Sequence, residues 1–381
     1  MKKVKLGDVC KIQSGGTPSR GNLNYWNNGN IPWVKISDIK EKYLSRTEEF
    51  ITQEGLANSS AKIFPKETIL YTIFATLGEV SILEIEATTN QAIAGLQIID
   101  ENICKDYLYY YLISLKPFVN EIGRGVAQNN INMQILRNFE IPLPSLEEQK
   151  AIARKLDKVS GLIEKRKTQL EKLSELVKSR FIEMFGDPVK NTMNWPRKPL
   201  NDVCDGIGDG LHGTPEYDDN GDYPFINGNN LIDGNIVITP ATKMVAEDTY
   251  KKHLINICEN AILISINGTL GKMAFYHGEK VMLGKSACYC NLKPDINKTF
   301  VYGVMKSDAF AEFLDNSSTK STIKNVGLKA MREYQLILPP MELQEYFATF
   351  VEQTDKSKFE IQKSLEQLEI LKKSLMQKYF G

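Results

Sequence analysis

From Ile152 the apolar residues recur in steps of four and three: Ile152, Leu156, Val159, Ile163, then a polar Arg166, then Leu170, Leu173 and Val177. This is the heptad seam of a helix that pairs with another helix. The same steps starting at Phe347 reach Val351, Thr354, Lys358, Ile361, Leu365, Leu368 and Lys372, and Leu375 continues the stripe. Leu176 and Leu371, Phe181 and Met376, and Phe185 and Phe380 predict a flanking apolar row. The polar seam positions Arg166, Thr354, Lys358 and Lys372 are suited to fixing register or facing another protein.

The two stretches are copies of one another. Pro144-Ser145-Leu146-Glu147-Glu148-Gln149 running to Phe185-Gly186 matches Pro339-Pro340-Met341-Glu342-Leu343-Gln344 running to Phe380-Gly381. The offset is a constant 195 residues (339 less 144, 381 less 186), with no gap. Each copy predicts a helix of about 40 residues, roughly 60 Å long at 1.5 Å per residue. A helix that long needs a partner for its stripe, and the nearest is the other copy.

The remaining sequence alternates like sheet. In residues 1–143, Ile31 to Ile36, Thr68 to Phe74, Glu79 to Glu86 and Ala94 to Ile99 read as strands, and Lys105 to Lys116 reads as a helix. Residues 187–338 repeat the plan: Gly213-Thr214-Pro215 echoes Gly16-Thr17-Pro18, and Tyr223-Pro224-Phe225-Ile226 echoes Ile31-Pro32-Trp33-Val34. Gly268-Thr269-Leu270-Gly271 likewise echoes Ala75-Thr76-Leu77-Gly78. The chain therefore reads as a tandem duplication of globular domain plus long helix, with segments 1–143, 144–186, 187–338 and 339–381. The fold class is α+β with antiparallel or mixed sheets.

Only residues 187–198 join the first helix to the second domain. A parallel helix pair would require a return of about 60 Å, or at least some 17 extended residues. The expected architecture is thus an antiparallel two-helix coiled coil with one mixed α/β domain at each end, pseudo-two-fold and circularly arranged. Such a shape suits a duplex with two differing half-sites in opposite orientation, separated by an unread gap.

Composition adds limits. Forty-seven basic and forty-seven acidic residues cancel, so any basic surface must be local. Residues 144–186 hold ten basic and seven acidic residues, and residues 187–338 hold sixteen and eighteen. The second domain is not basic, and weak DNA binding by the chain alone is expected. Cys10, Cys104, Cys204, Cys258, Cys288 and Cys290 form no CxxC pair and follow no signal peptide, so reduced thiols in a cytoplasmic protein are expected. With His212, His253 and His277 the only histidines, Cys288-Tyr289-Cys290 is a poor zinc candidate and no metal site is expected. No run is long enough for a membrane span.

The sequence resembles the specificity subunit of type I restriction-modification systems over essentially its whole length. The resemblance is carried by Ile141-Pro142-Leu143-Pro144-Ser145-Leu146-Glu147-Glu148-Gln149 with its echo Ile337 to Gln344, and by Gly16-Thr17-Pro18-Ser19, Tyr25-Trp26 and Ile31 to Ile39. The second domain departs from it where Asn227-Gly228-Asn229-Asn230 replaces Lys35-Ile36-Ser37-Asp38. The resemblance implies two target-recognition domains reading a bipartite sequence in double-stranded DNA. It also implies docking of two modification subunits that methylate adenine N6 with S-adenosylmethionine. Restriction (motor-nuclease) subunits using ATP and magnesium would complete the complex. No cofactor and no catalytic residue are expected in this chain. The outer helix faces, with Lys165-Arg166-Lys167 at mid-length, are the candidate docking surface.

The sequence itself agrees on catalysis: it has no Asn/Asp-Pro-Pro-aromatic motif, no HExxH and no GxSxG. Gly284-Lys285-Ser286 ends like a phosphate loop, but the preceding Gly278 is misplaced by one residue. Candidate DNA contacts are hydroxyls, amides and cations in turn-rich loops. In the first domain they are Thr17, Ser19, Arg20, Lys35, Ser37, Arg124, Gln128, Asn129 and Asn130. In the second they are Thr214, Asn227, Asn229, Asn230, Lys320, Ser321, Thr322, Lys324 and Asn325. The competing function is a scaffold that presents two protein- or glycan-binding domains on a coiled coil.

Overall fold

A computed structural model describes residues 2–124 and 130–381. By internal contacts it divides into one unit of residues 1–167 with 363–381 and another of residues 168–362. Each unit holds one globular domain, the start of one long helix and the end of the other.

The long helices span Leu146–Phe185 and Met341–Phe380, 40 residues each. The first opens on a capping box: the Ser145 N–H donates to Glu148 Oε2 at 2.9 Å, and the Ser145 hydroxyl meets the same carboxylate at 2.7 Å. Every heptad position named above is buried or half-buried in both helices, while the positions between are mostly exposed. Thr354 is buried and turns its hydroxyl back to the Phe350 carbonyl. Leu176 and Leu371 differ from the expected flanking row. They are 48% and 46% exposed, on the outside of the pair at equivalent positions.

In the first unit, Ile152, Ala153 and Leu156 share a core with Leu375, Met376 and Phe380. In the second, Val177, Phe181 and Phe185 share one with Leu343, Phe347 and Val351. In each unit the start of one helix therefore lies against the end of the other, so the paired segments run antiparallel.

Both domains use one topology. In the first, Cys10–Ser14, Ile93–Ile98, Ile69–Thr72 and Val80–Leu83 form an antiparallel sheet, with Tyr43–Leu44 added in parallel at its edge. Its counterpart orders Cys204–Asp209, Ala287–Leu292, Ala261–Ser265 and Met273–Phe275 in the same way. A small sheet follows in each. Ile31–Val34 pairs antiparallel with Glu49–Ile51 and parallel with Thr88–Thr89. Tyr223–Ile226 does the same with Lys243–Val245 and Met282–Leu283. Cys288 and Cys290 sit on the buried face of their strand beside Cys204. Hydrogen bonding of the Cys290 S–H to these neighbours, together with burial, pushes its pKa up.

Two devices fix each domain on its helix. The strand before the helix pairs with the strand that opens the domain, Glu140–Pro142 with Lys3–Lys5 and Gln335–Ile337 with Arg197–Pro199. The second device is a buried glutamine. Gln149 Oε1 accepts from the Cys104 N–H at 2.8 Å, and its amide donates to the Asn102 and Pro144 carbonyls at 2.9 and 3.0 Å. Gln344 Oε1 accepts from the Asn297 N–H at 3.1 Å, and its amide donates to Pro339 at 2.8 Å. Both glutamines thus hold the N-terminus of the domain helix they face, Lys105–Ser114 or Lys298–Met305.

Among the described residues, only those of the first unit add an ionic strap. Lys42 reaches Asp106 at 2.7 Å and Asp157 at 2.5 Å, among Tyr43, Tyr109 and Tyr110. Burial, the largest single effect, would raise the Asp106 carboxyl, but the hydrogen bond and charge of Lys42, with Tyr43 and Lys105, together hold the group below its ordinary value.

Two predictions follow from these anchors. Gln149→Leu and Gln344→Leu keep the volume but strand a buried N–H, and each should cost about 1–3 kcal/mol in denaturant unfolding of its own unit. Because the folded Asp106 pKa is depressed, the strap stabilises above the ordinary carboxylate range and is lost as pH falls through the folded value. Lys42→Met should therefore flatten the acid limb of the stability profile below about pH 4, read by thermal melts across pH.

Candidate nucleic-acid interface

The polar loops of each domain meet at one rim of its sheets, because backbone bonds tie them in sequence. In the first domain the Gly15 N–H donates to the Ile93 carbonyl and the Gly16 N–H to Thr89; the Ile73 N–H donates to Ala92 and the Ile131 N–H to Ile73. In the second, the Lys285 N–H donates to Leu211, Ile266 to Ser286, and Val326 to Ile266. The loop after the opening strand and the turn after the third strand thus share one surface in each domain, joined by Ile131 in the first and Val326 in the second. That turn is also duplicated. The Thr72 hydroxyl accepts from the Glu79 N–H at 2.9 Å, as Ser265 does from Lys272. Ala75 takes a left-handed φ of 60° where the second copy uses Gly268 at 76°.

The loop at residues 14–20 is built rather than loose. Trp33 Nε1–H donates to the Gly16 carbonyl at 3.0 Å, and Trp26 Nε1–H donates to Ser19 at 3.1 Å. A Cβ at Gly15 would fall 2.0 Å from the Thr89 hydroxyl, so only glycine allows this approach. Thr17 bonds to Gln91. Arg20 lies over Trp26 and ion-pairs with Glu49 at 2.6 Å. Lys35 pairs with Glu48 at 2.8 Å and Glu49 at 3.2 Å. Burial would raise the Glu49 carboxyl, but bonds from Arg20 and Lys35 hold it below the usual range. Ser19 and Ser37 are exposed, and Asn130 is half-buried in a bridge to Phe74. Gln128, Asn129 and the side chain of Arg124 lie outside the described residues.

In the second rim, Thr214 and Asn229 are exposed. Asn227 and Asn230 point inward instead. The Asn227 N–H donates to Asn230 Oδ1, and Asn230 spends both amide protons on the Val237 carbonyl and the Thr242 hydroxyl. Asn227 Oδ1 accepts from the Ser286 hydroxyl at 3.0 Å. Asn325 Oδ1 accepts from Asn267, and Lys324 pairs with Asp315 at 2.6 Å. Lys320, Ser321 and Thr322 are exposed. Glu49, Tyr217 and Lys243 belong to the rims but were not legible, because their place depends on strand register. Among the described residues no group of His, Cys, Asp or Glu is arranged to hold a metal ion. No helix among the described residues is long and apolar enough to cross a membrane.

Two copies of one rim, faced with amides, hydroxyls and cations, define a two-headed recognition protein. The family model described as type I restriction modification DNA specificity domain matches residues 1–174 and again 193–370, so the chain belongs to that family and carries its domain twice. The type I restriction enzyme MjaIX specificity subunit of Methanocaldococcus jannaschii is 31% identical over 293 residues, covering 70% of this chain and 66% of that protein. The EcoprrI specificity subunit of Escherichia coli is 24% identical over 92% of this chain and 87% of its own length. The EcoR124I/EcoR124II specificity subunit, also from Escherichia coli, is 31% identical over 41% of this chain. The chain thus spans just under two thirds of the MjaIX relative and 40% of the EcoR124I/EcoR124II one. In fold, it is similar to the S subunit of the type I restriction-modification system of M. genitalium, with TM-score 0.59, 17% identity and 96% of that chain covered. A solved chain from a study of type I assembly and conformational transition gives TM-score 0.61 at 18% identity and 97% coverage. Family membership is consistent with a chain that recognises rather than catalyses.

Trp33→Phe keeps the ring but removes the donor to Gly16. It should speed amide exchange across residues 15–20 by about tenfold, the equivalent of roughly 1.4 kcal/mol, while exchange in strand Ile93–Ile98 stays unchanged.

Proposed function

We propose that this chain is the DNA-recognition subunit of a type I restriction-modification complex, each domain reading one half of a bipartite asymmetric site in double-stranded DNA. The observation that carries the reading is the duplicated rim: one frame, built twice, with different side chains on it. The chain performs no chemistry. It docks two modification subunits along its long helices, and those subunits transfer the methyl group of S-adenosylmethionine to adenine N6. Restriction subunits driven by ATP with magnesium cleave unmodified DNA in the full complex, which works in the cytoplasm.

The charge pattern supports a division of labour. Among the described rim residues Arg20, Lys35 and Lys324 are already paired with acids, which leaves fewer cations, Lys243 and Lys320 among them, for phosphates. Much of the phosphate contact then falls to the modification subunits, and the chain supplies base reading.

Co-expression with the modification subunits should give a co-purifying complex that protects a split DNA site. Its affinity should fall more steeply with salt than that of the chain alone. An isolated chain with the full salt slope of the complex contradicts the division of labour; a complex that protects no split site contradicts the function and favours a protein-binding scaffold.

A further inference from the structure

Three positions meet on the small sheet of each rim. The strand registers set Trp33 opposite Glu49 and Phe225 opposite Lys243. The matching Gly-Thr-Pro loops bring Arg20 in one domain, and Tyr217 in the other, onto that pair. In the first domain the Arg20 guanidinium carbon lies 3.6 Å from the Trp26 ring centre and 4.7 Å from that of Trp33. Its Nη1 donates to Glu49 Oε2 at 2.6 Å. In the second, the Tyr217 ring is 5.9 Å from Phe225, and the Lys243 ammonium is 5.8 Å from the Tyr217 ring. The cation has moved from the loop to the strand, and no acid stands where Glu49 does. The frame is kept while the chemistry changes.

Such a change is what separates two readers of different sequence. A phosphate contact tolerates a mobile cation. Arg20 instead lies over the Trp26 ring and beside the perpendicular Trp33 ring, gripped at one edge by a carboxylate, while 53% of its side chain stays exposed. A fixed planar fork with N–H groups to spare matches O6 and N7 of guanine in the major groove. Lys243 offers a point charge on a flexible stem and lacks the fixed planar fork.

We propose that this three-position cluster determines specificity in each domain, with Arg20 reading a guanine in one half-site and Glu49 and Trp26 acting as its positioning residues. The proposal rests on the DNA-recognition reading above and adds which residue discriminates and which base it selects.

The test is genome-wide methylation mapping in cells expressing the full chain with its modification subunits, as wild type, Arg20→Ala, Arg20→Lys and Glu49→Gln. The wild-type motif should contain a guanine whose selectivity falls about tenfold in both Arg20 variants. Every other motif position should be unchanged, and Glu49→Gln should weaken the same position. A motif retained base for base in Arg20→Lys, or a uniform loss of methylation in Arg20→Ala without change of motif, overturns the proposal. A split wild-type motif left intact by every variant sinks this inference alone; a wild type that yields no split motif sinks the functional reading as well.

Discussion

The buried amide of a glutamine at the head of each long helix is the constraint on which the rest depends. An amide left unpaired in apolar surroundings costs several kcal/mol on the hydrocarbon scale. The orientation of domain on helix satisfies Gln149 and its partners at Cys104, Asn102 and Pro144 together. Gln344 imposes the equivalent condition at Asn297 and Pro339. Apolar packing alone is less particular. Tyr107 and Tyr111 around Phe380 in one unit, and Phe300 around Phe185 in the other, would tolerate sliding that the amides do not. The rims inherit this precision, since each domain opens on a strand that pairs, in a separate two-stranded sheet, with the strand running into its helix.

The two halves differ where a recognition surface is expected to differ. The order of the four shared main-sheet strands, the register of the small sheet, the hydroxyl-capped turn and the glutamine clasp repeat, while the charged positions do not. Lys42 straps the first domain to Asp106 and Asp157; at the positions aligned by the clasp and the helix repeat, the second unit has Thr299 and Glu352, and Glu352 pairs with Lys356 instead. Arg20 and Glu49 give way to Tyr217 and Lys243. In the proposed function, a shared frame with separate surface chemistry is what lets one repeated segment serve two unlike half-sites.

Much of this was legible in the sequence, for reasons of range. The heptad stripe is a local periodicity, and every position on it is buried or half-buried, including the polar Thr354, Lys358 and Lys372. The outward turn of Leu176 and Leu371 was not visible, because hydrophobicity does not say which side of a seam a flanking residue takes. The Pro-x-x-x-x-Gln junctions stood out as a repeat, but their work depends on a helix N-terminus more than 40 residues away. The loops were found by composition, which cannot separate a side chain offered to a ligand from one spent on its own fold. Asn230 and Asn325 proved to be of the second kind. Glu49 and Lys243 looked like ordinary charged residues until strand pairing set them opposite Trp33 and Phe225.

The central claim is that each domain, bolted to its own helix, reads its half of the target without help from the other. Replacing residues 187–338 with an unrelated member's recognition domain, while keeping Phe185-Gly186 and Pro339 to Gln344, puts it to the most direct test. Methylation mapping of the resulting complex should show one half of the motif changed and the other retained base for base. Change in both halves, or a motif no longer split, would contradict it.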